Sequence, residues 1–163
     1  MRTGELPPGS LLAPYRSRGA YTDCYQMDLP GAVPLQAYVE AFYTTRLFRI
    51  ERLLLRWLAR RPSTDAQARQ LALAQTTAFA AWTVEARAPD QLLLCDFMQR
   101  TRSWLMVRPI GGGDTPATRL YFGSAVVPLS TSASGRASFG LAFHALGGFH
   151  RLYSRALMRA ARQ

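Results

Sequence analysis

The chain has 163 residues, of which 48% are apolar and 18% charged, and a formal net charge of +10. These totals fit one globular domain that buries roughly 70% of the surface its unfolded chain exposes, and they exclude a disordered chain. Its apolar runs are too short for a membrane span and no apolar h-region of signal-peptide length follows Met1, so a cytoplasmic protein is expected.

Residues 1–19 are polar and punctuated by Pro7, Pro8, Pro14 and Gly19, and read as a flexible arm before a single domain over 20–163. Tyr21 to Leu29 alternates in the manner of a strand, and Pro30-Gly31 ends it. The strongest helical signal is Val33 to Ala59, with Pro34 suited to a first helical position. Its wheel places Arg46, Arg49, Arg52, Arg56 and Arg60 on one stripe and Leu47, Leu54, Leu55 and Leu58 opposite. The β-branched pair Thr44-Thr45 marks a break into two shorter helices. Pro62 stops the segment, and Ser63-Thr64-Asp65 offers N-caps for a second helix, Ala66 to Thr77.

The period then changes. Phe79–Ala88, Gln91–Met98, Thr101–Ile110 and Thr118–Val127 are predicted strands. The turns Pro89-Asp90, Gln99-Arg100 and Gly111-Gly112-Gly113-Asp114 separate them, and links this short mean an antiparallel meander. Leu129–Ser138 reads as a loop and Ser138–Phe143 as a further strand. Ala145 to Arg162 reads as a terminal helix with Arg151, Arg155, Arg159 and Arg162 on one face and Leu146, His150, Tyr153 and Leu157 on the other.

This order is α+β: a curved antiparallel sheet, two helices after its first strand, and a long C-terminal helix packed against it. It resembles the helix-grip superfamily of START domains, polyketide cyclases and pollen-allergen-like proteins, and within it a bacterial family without assigned function. The resemblance rests on the helix 42–53, on Ala81-Trp82-Thr83-Val84, Thr101-Arg102-Ser103-Trp104-Leu105 and Tyr121-Phe122-Gly123-Ser124-Ala125, and on His150-Arg151-Leu152-Tyr153-Ser154. Five or six strands are readable here, where the superfamily often has six or seven. The resemblance implies a cavity between sheet and C-terminal helix for a small apolar ligand, and no cofactor.

Several residues are candidates for that cavity. Glu51 falls on the apolar side of its helix, where a carboxylate is costly unless paired. It is an edge residue, a partner of Arg87 or Arg102, or an acid–base group. His150 and Tyr153 lie on the inward face of the last helix, as satisfied core residues or as cavity wall, with Trp104 and Tyr121 nearby. Asp96 and Arg102 flank a turn and read as a structural cross-strand pair, or Asp96 as a polar anchor. Ser103, Ser124 and Ser154 lack a GxSxG context, and the Gly111-Gly112-Gly113 run lacks the residues of a P-loop. Cys24 and Cys95 stand apart from any Cys/His cluster, so no metal is expected. All twenty basic residues are arginine and are spread along the chain, which predicts weak, salt-sensitive contact with polyanions and no specific nucleic-acid partner. Three functions remain open: a binding or carrier module, an interaction protein with a filled core, and a cyclase- or dehydratase-type enzyme.

Overall fold

The turn signals generate an antiparallel sheet in the computed structural model, which describes residues 2–46, 48, 63–110, 115–128, 130–131 and 137–138. In chain order the elements are β1 (Arg2–Thr3), α1 (Ala13–Ser17), β2 (Tyr21–Pro30), α2 (Leu35–Tyr43), α3 (Asp65–Ala72), β3 (Ala78–Phe79), β4 (Trp82–Ala88), β5 (Gln91–Asp96), β6 (Thr101–Pro109), β7 (Ala117–Val126), β8 (Ser130–Thr131) and β9 (Ala137–Ser138). Seven strands form one sheet in the order β1-β2-β7-β6-β5-β4-β3, and β8 pairs with β9 separately. Every pairing is antiparallel. The region 129–138, expected as loop, thus holds two short strands. No helix among the described residues is long and apolar enough to cross a membrane.

β2 returns to pair with β7 along its whole length, from Tyr21 opposite Val126 to Pro30 opposite Ala117. This register aligns side chains in rows across the sheet. On the front face Tyr25, Phe122, Leu105 and Leu92 form one row. On the back face Cys24, Gly123, Trp104 and Leu93 form another. Both faces are covered, so β5 is buried through the run Leu92-Leu93-Leu94-Cys95 rather than alternating in exposure.

α2 and α3 cover the front. Leu35, Tyr38, Val39 and Phe42 recur at i, i+3, i+4 and i+7, giving α2 one apolar face, and all four are buried. The helix ends where the threonines predict. Thr44 turns its hydroxyl back onto the Glu40 carbonyl at 2.7 Å, and Thr45 Oγ1 accepts from the Phe48 amide at 3.2 Å. α3 starts in a capping box: the Thr64 hydroxyl accepts from the Gln67 amide, and the Gln67 side chain accepts from the Thr64 amide. It stops at Ala72, short of Thr77, because Ala74 turns left-handed at φ 58°. Arg87 donates to the Leu71 carbonyl at 2.6 Å, satisfying one of its last-turn acceptors.

Residues 4–20 cover the back. This segment, read from composition as a flexible arm, is a packed layer. Leu12 is fully buried against Trp104 and Tyr121. Gln91 clamps the segment from β5, accepting from the Leu11 amide at 2.9 Å and donating to the Gly9 carbonyl at 3.1 Å. Leu6, Leu11 and Tyr15 pack beside Leu12, so a handful of apolar side chains among prolines and glycines suffices to bury it.

Cys24 lies beneath this layer, and burial together with the Asp23 carboxylate pushes its thiol up to about 12 from an ordinary 9.0. The unfolded chain releases that proton from about pH 9, whereas the folded chain retains it, so stability is full below pH 9 and is lost as pH rises toward 12. Urea melts from pH 8 to 11 should show a decline that is shallower in Cys24→Ala. Equal slopes for the two proteins would assign the decline to other groups.

Candidate functional site

Most of the front face is apolar, and one polar row crosses its middle strands. Asp23 on β2, Ser124 on β7 and Ser103 on β6 are consecutive register partners, so their side chains line up across three strands. Asp23 Oδ1 accepts from the Ser124 amide at 2.9 Å and from its hydroxyl at 2.7 Å. Tyr43, the last residue of α2, brings its hydroxyl to 3.2 Å from Ser103 Oγ. Ser103 and Ser124 are both buried. Burying such groups is costly without partners, and the register supplies them.

An aromatic wall surrounds the row. Phe42 lies 4.9 Å from Phe122, and Tyr43 lies edge-on to Phe48 at 4.8 Å and to Phe79 at 5.5 Å. Phe48 and Phe79 stack at 6.0 Å. Deeper in the same layer Tyr38 donates to the Tyr121 carbonyl at 3.2 Å, and its burial holds the phenol well above its ordinary range. One row nearer the sheet end, Tyr21, Val126, Thr101, Asp96 and Trp82 are only half-buried. Trp82 Nε1 is buried and finds no hydrogen-bond partner among the described residues. The arrangement is a polar strip inside an aromatic layer, with a more open rim of mixed polarity.

The expected site residues divide by face. Trp104 and Tyr121 are buried, but on the back face, away from α2 and α3. Trp104 Nε1 donates to Gln91 Oε1 at 2.9 Å, and its ring lies 6.1 Å from that of Tyr121. They anchor the N-terminal layer and do not line the helix-covered side. Asp96 and Arg102 do not pair. Cys95 is the register partner of Arg102, so Asp96 projects from the opposite face. Asp96 Oδ1 instead accepts from the amides of Arg100 and Thr101 at 2.7 and 3.0 Å, closing the turn. Arg102 pairs with Glu85 at 2.9 Å, donates to the Tyr15 hydroxyl and stacks over the Tyr15 ring. Tyr15 and Glu85 are also hydrogen-bonded, which ties α1 to the sheet. Glu51, His150 and Tyr153 lie outside the described residues.

Asp23, Ser103, Ser124 and Tyr43 were not singled out together by the sequence. Their signal was present: Ser103 and Ser124 occupy inward positions next to the large apolar residues Leu105 and Phe122 of the same strands. Only the pairing register joins them. Each serine hydroxyl is engaged by an oxygen partner, Tyr43 or Asp23, so the described part of the row is built to donate and accept hydrogen bonds. Among the described residues no group of three or more His, Cys, Asp or Glu side chains converges to hold a metal. Comparison of the chain with family models, with curated proteins and with solved structures finds no match in any of the three.

Proposed function

We propose that this chain binds a small, mostly apolar molecule bearing one hydrogen-bonding group, on the helix-covered face of a helix-grip-like sheet. The polar row inside the aromatic layer carries the reading. A core that only had to pack gains nothing from placing hydroxyls and a carboxylate side by side, because an apolar set of equal shape is as stable or more so. A pocket for an apolar ligand uses just such a combination, an apolar wall with a few fixed polar groups. Tyr43 and Ser103 are the anchor, Phe42, Phe48, Phe79 and Trp82 the wall, and the half-buried rim from Tyr21 to Trp82 the entrance. The terminal segment bearing His150 and Tyr153 is expected from its pattern to add a further wall.

A thermal-shift screen of the purified chain with fatty acids, sterols and aromatic polyketides tests this. A ligand at a hundred times its dissociation constant should stabilise the fold by about 2.7 kcal/mol. Ser103→Ala and Tyr43→Phe should weaken that ligand by about tenfold, the value of one buried hydrogen bond to a neutral partner. A screen in which none of the three classes raises the melting temperature defeats the proposal.

A further inference from the structure

On the reading that the front layer binds an apolar molecule, we propose that its rim recognises a hydroxyl group of that molecule, in addition to the group held by Tyr43 and Ser103. Two side chains carry this, Trp82 on β4 and Asp96 on β5. They are register partners, so both belong to the front face, with Cβ atoms about 5 Å apart. Trp82 is half-buried and packs against the aromatic layer beside Phe79, its register partner on the other side. Its Nε1 is buried and has no hydrogen-bond partner among the described residues. An indole N–H only donates, and a buried donor left unmet is costly, so native structures seldom keep one. Because the ring is partly open and Nε1 is covered, an oxygen that meets Nε1 comes from within the layer.

Asp96 is the complementary half. Its Oδ1 is taken by the Arg100 and Thr101 amides, which fixes the carboxylate at the turn. Its Oδ2 has no hydrogen bond among the described residues, and the carboxylate makes no ion pair there. The neighbouring arginines are engaged elsewhere: Arg102 pairs with Glu85 on the back face, and Arg100 donates to the Val127 carbonyl at 3.3 Å. The rim thus offers one donor and one acceptor on adjacent strands, and the two do not satisfy each other. A hydroxyl accepts and donates, so it meets both at once. An ether or carbonyl oxygen leaves Oδ2 unmet, and a ligand carboxylate is repelled by Asp96. Ser103 pairs with Leu94, and Leu94 with Val84, so Trp82 stands two strands and two residues from Ser103, roughly 12 Å between Cα atoms. A ring system with an oxygen at each end fits that separation once the side chains are counted.

Isothermal titration calorimetry of the full chain with three symmetric probes tests it: 2,6-dihydroxynaphthalene, its dimethyl ether, and naphthalene-2,6-dicarboxylate. The diol should bind about tenfold tighter than the diether, and the dicarboxylate weakest. Asp96→Asn keeps an oxygen for the turn amides and replaces the free acceptor by a donor. It should lower the diol-to-diether affinity ratio about tenfold and leave the diether unchanged. Trp82→Phe keeps the aromatic wall and should weaken diol and diether alike, severalfold, because both present an acceptor to Nε1. Thermal melts of the two variants check that each is folded. No binding of any of the three probes overturns the front-layer site and the rim hydroxyl together. Probes that bind with a ratio near one, with a ratio that Asp96→Asn leaves unchanged, or with the dicarboxylate tightest leave the front-layer site standing and overturn the rim hydroxyl alone.

Discussion

Replacing Leu12 by alanine should cost the fold about 2–5 kcal/mol, the range for a leucine truncated in a closed core. Leu12 has no exposed surface and packs in one cluster with Trp104, Tyr121 and Cys24, so its loss opens a void between the N-terminal segment and the sheet. Other ties of that segment include the Gln91 clamp, the Gly4 amide donating to the Cys24 carbonyl, and the Tyr15–Glu85–Arg102 cluster, which is partly exposed and correspondingly weaker. Urea denaturation followed by tryptophan fluorescence measures the loss directly, since Trp104 lies under Leu12. A change below about 0.5 kcal/mol, the size expected of a surface residue, would mean that residues 4–20 are a loose arm after all.

Gly123→Ala should be the other severe substitution. A Cβ at this position would stand 2.8 Å from the Asp23 carbonyl oxygen, 2.9 Å from Leu12 Cδ2 and 2.9 Å from Trp104 Cε3. The leucine end can swing aside, but the carbonyl belongs to the β2–β7 ladder and cannot recede without opening it. Overpacking of this kind costs about 1–3 kcal/mol, and a contact with fixed backbone belongs at the upper end. The two substitutions share a contact and should not add. Leu12→Ala removes one of the three clashes, so the double variant should be less destabilised than the sum of the single ones, by about 0.5 kcal/mol or more. Strict additivity in a double-mutant cycle would place Leu12 and Gly123 apart.

Most of the sheet is readable from the chain because its turns are punctuated. Pro30-Gly31 closes β2, Pro89-Asp90 and the glycine run fall between strands, and four of the long strands lie within a few residues of their expected bounds. The helix starts were legible for the same local reason: Pro34 and Thr64 act on the backbone next to them. Facing was not legible. Period-two alternation assigns a strand to a buried and an exposed side, and β5 to β7 are buried on both, so the pattern cannot say which side Trp104 or Tyr121 meets. The N-terminal layer escaped because its apolar residues are few and set among prolines and glycines, and its ties are long-range, such as the hydrogen bonds to Gln91 some eighty residues away. The Asp96–Arg102 pairing failed on parity: β5 ends at Asp96, a four-residue connection follows, and Cys95 becomes the partner of Arg102. The polar row is a product of register among β2, β6 and β7, two of which are about a hundred residues apart, and no local signal encodes it.

The proposed front-layer binding site is tested most directly by native mass spectrometry of the chain as purified, compared with its denatured spectrum. A folded species heavier than the polypeptide by the mass of one small molecule, released on denaturation and depleted in Ser103→Ala, is the expected result. A native spectrum showing only the bare polypeptide mass, still bare after incubation with fatty acids, sterols and aromatic polyketides, would contradict it.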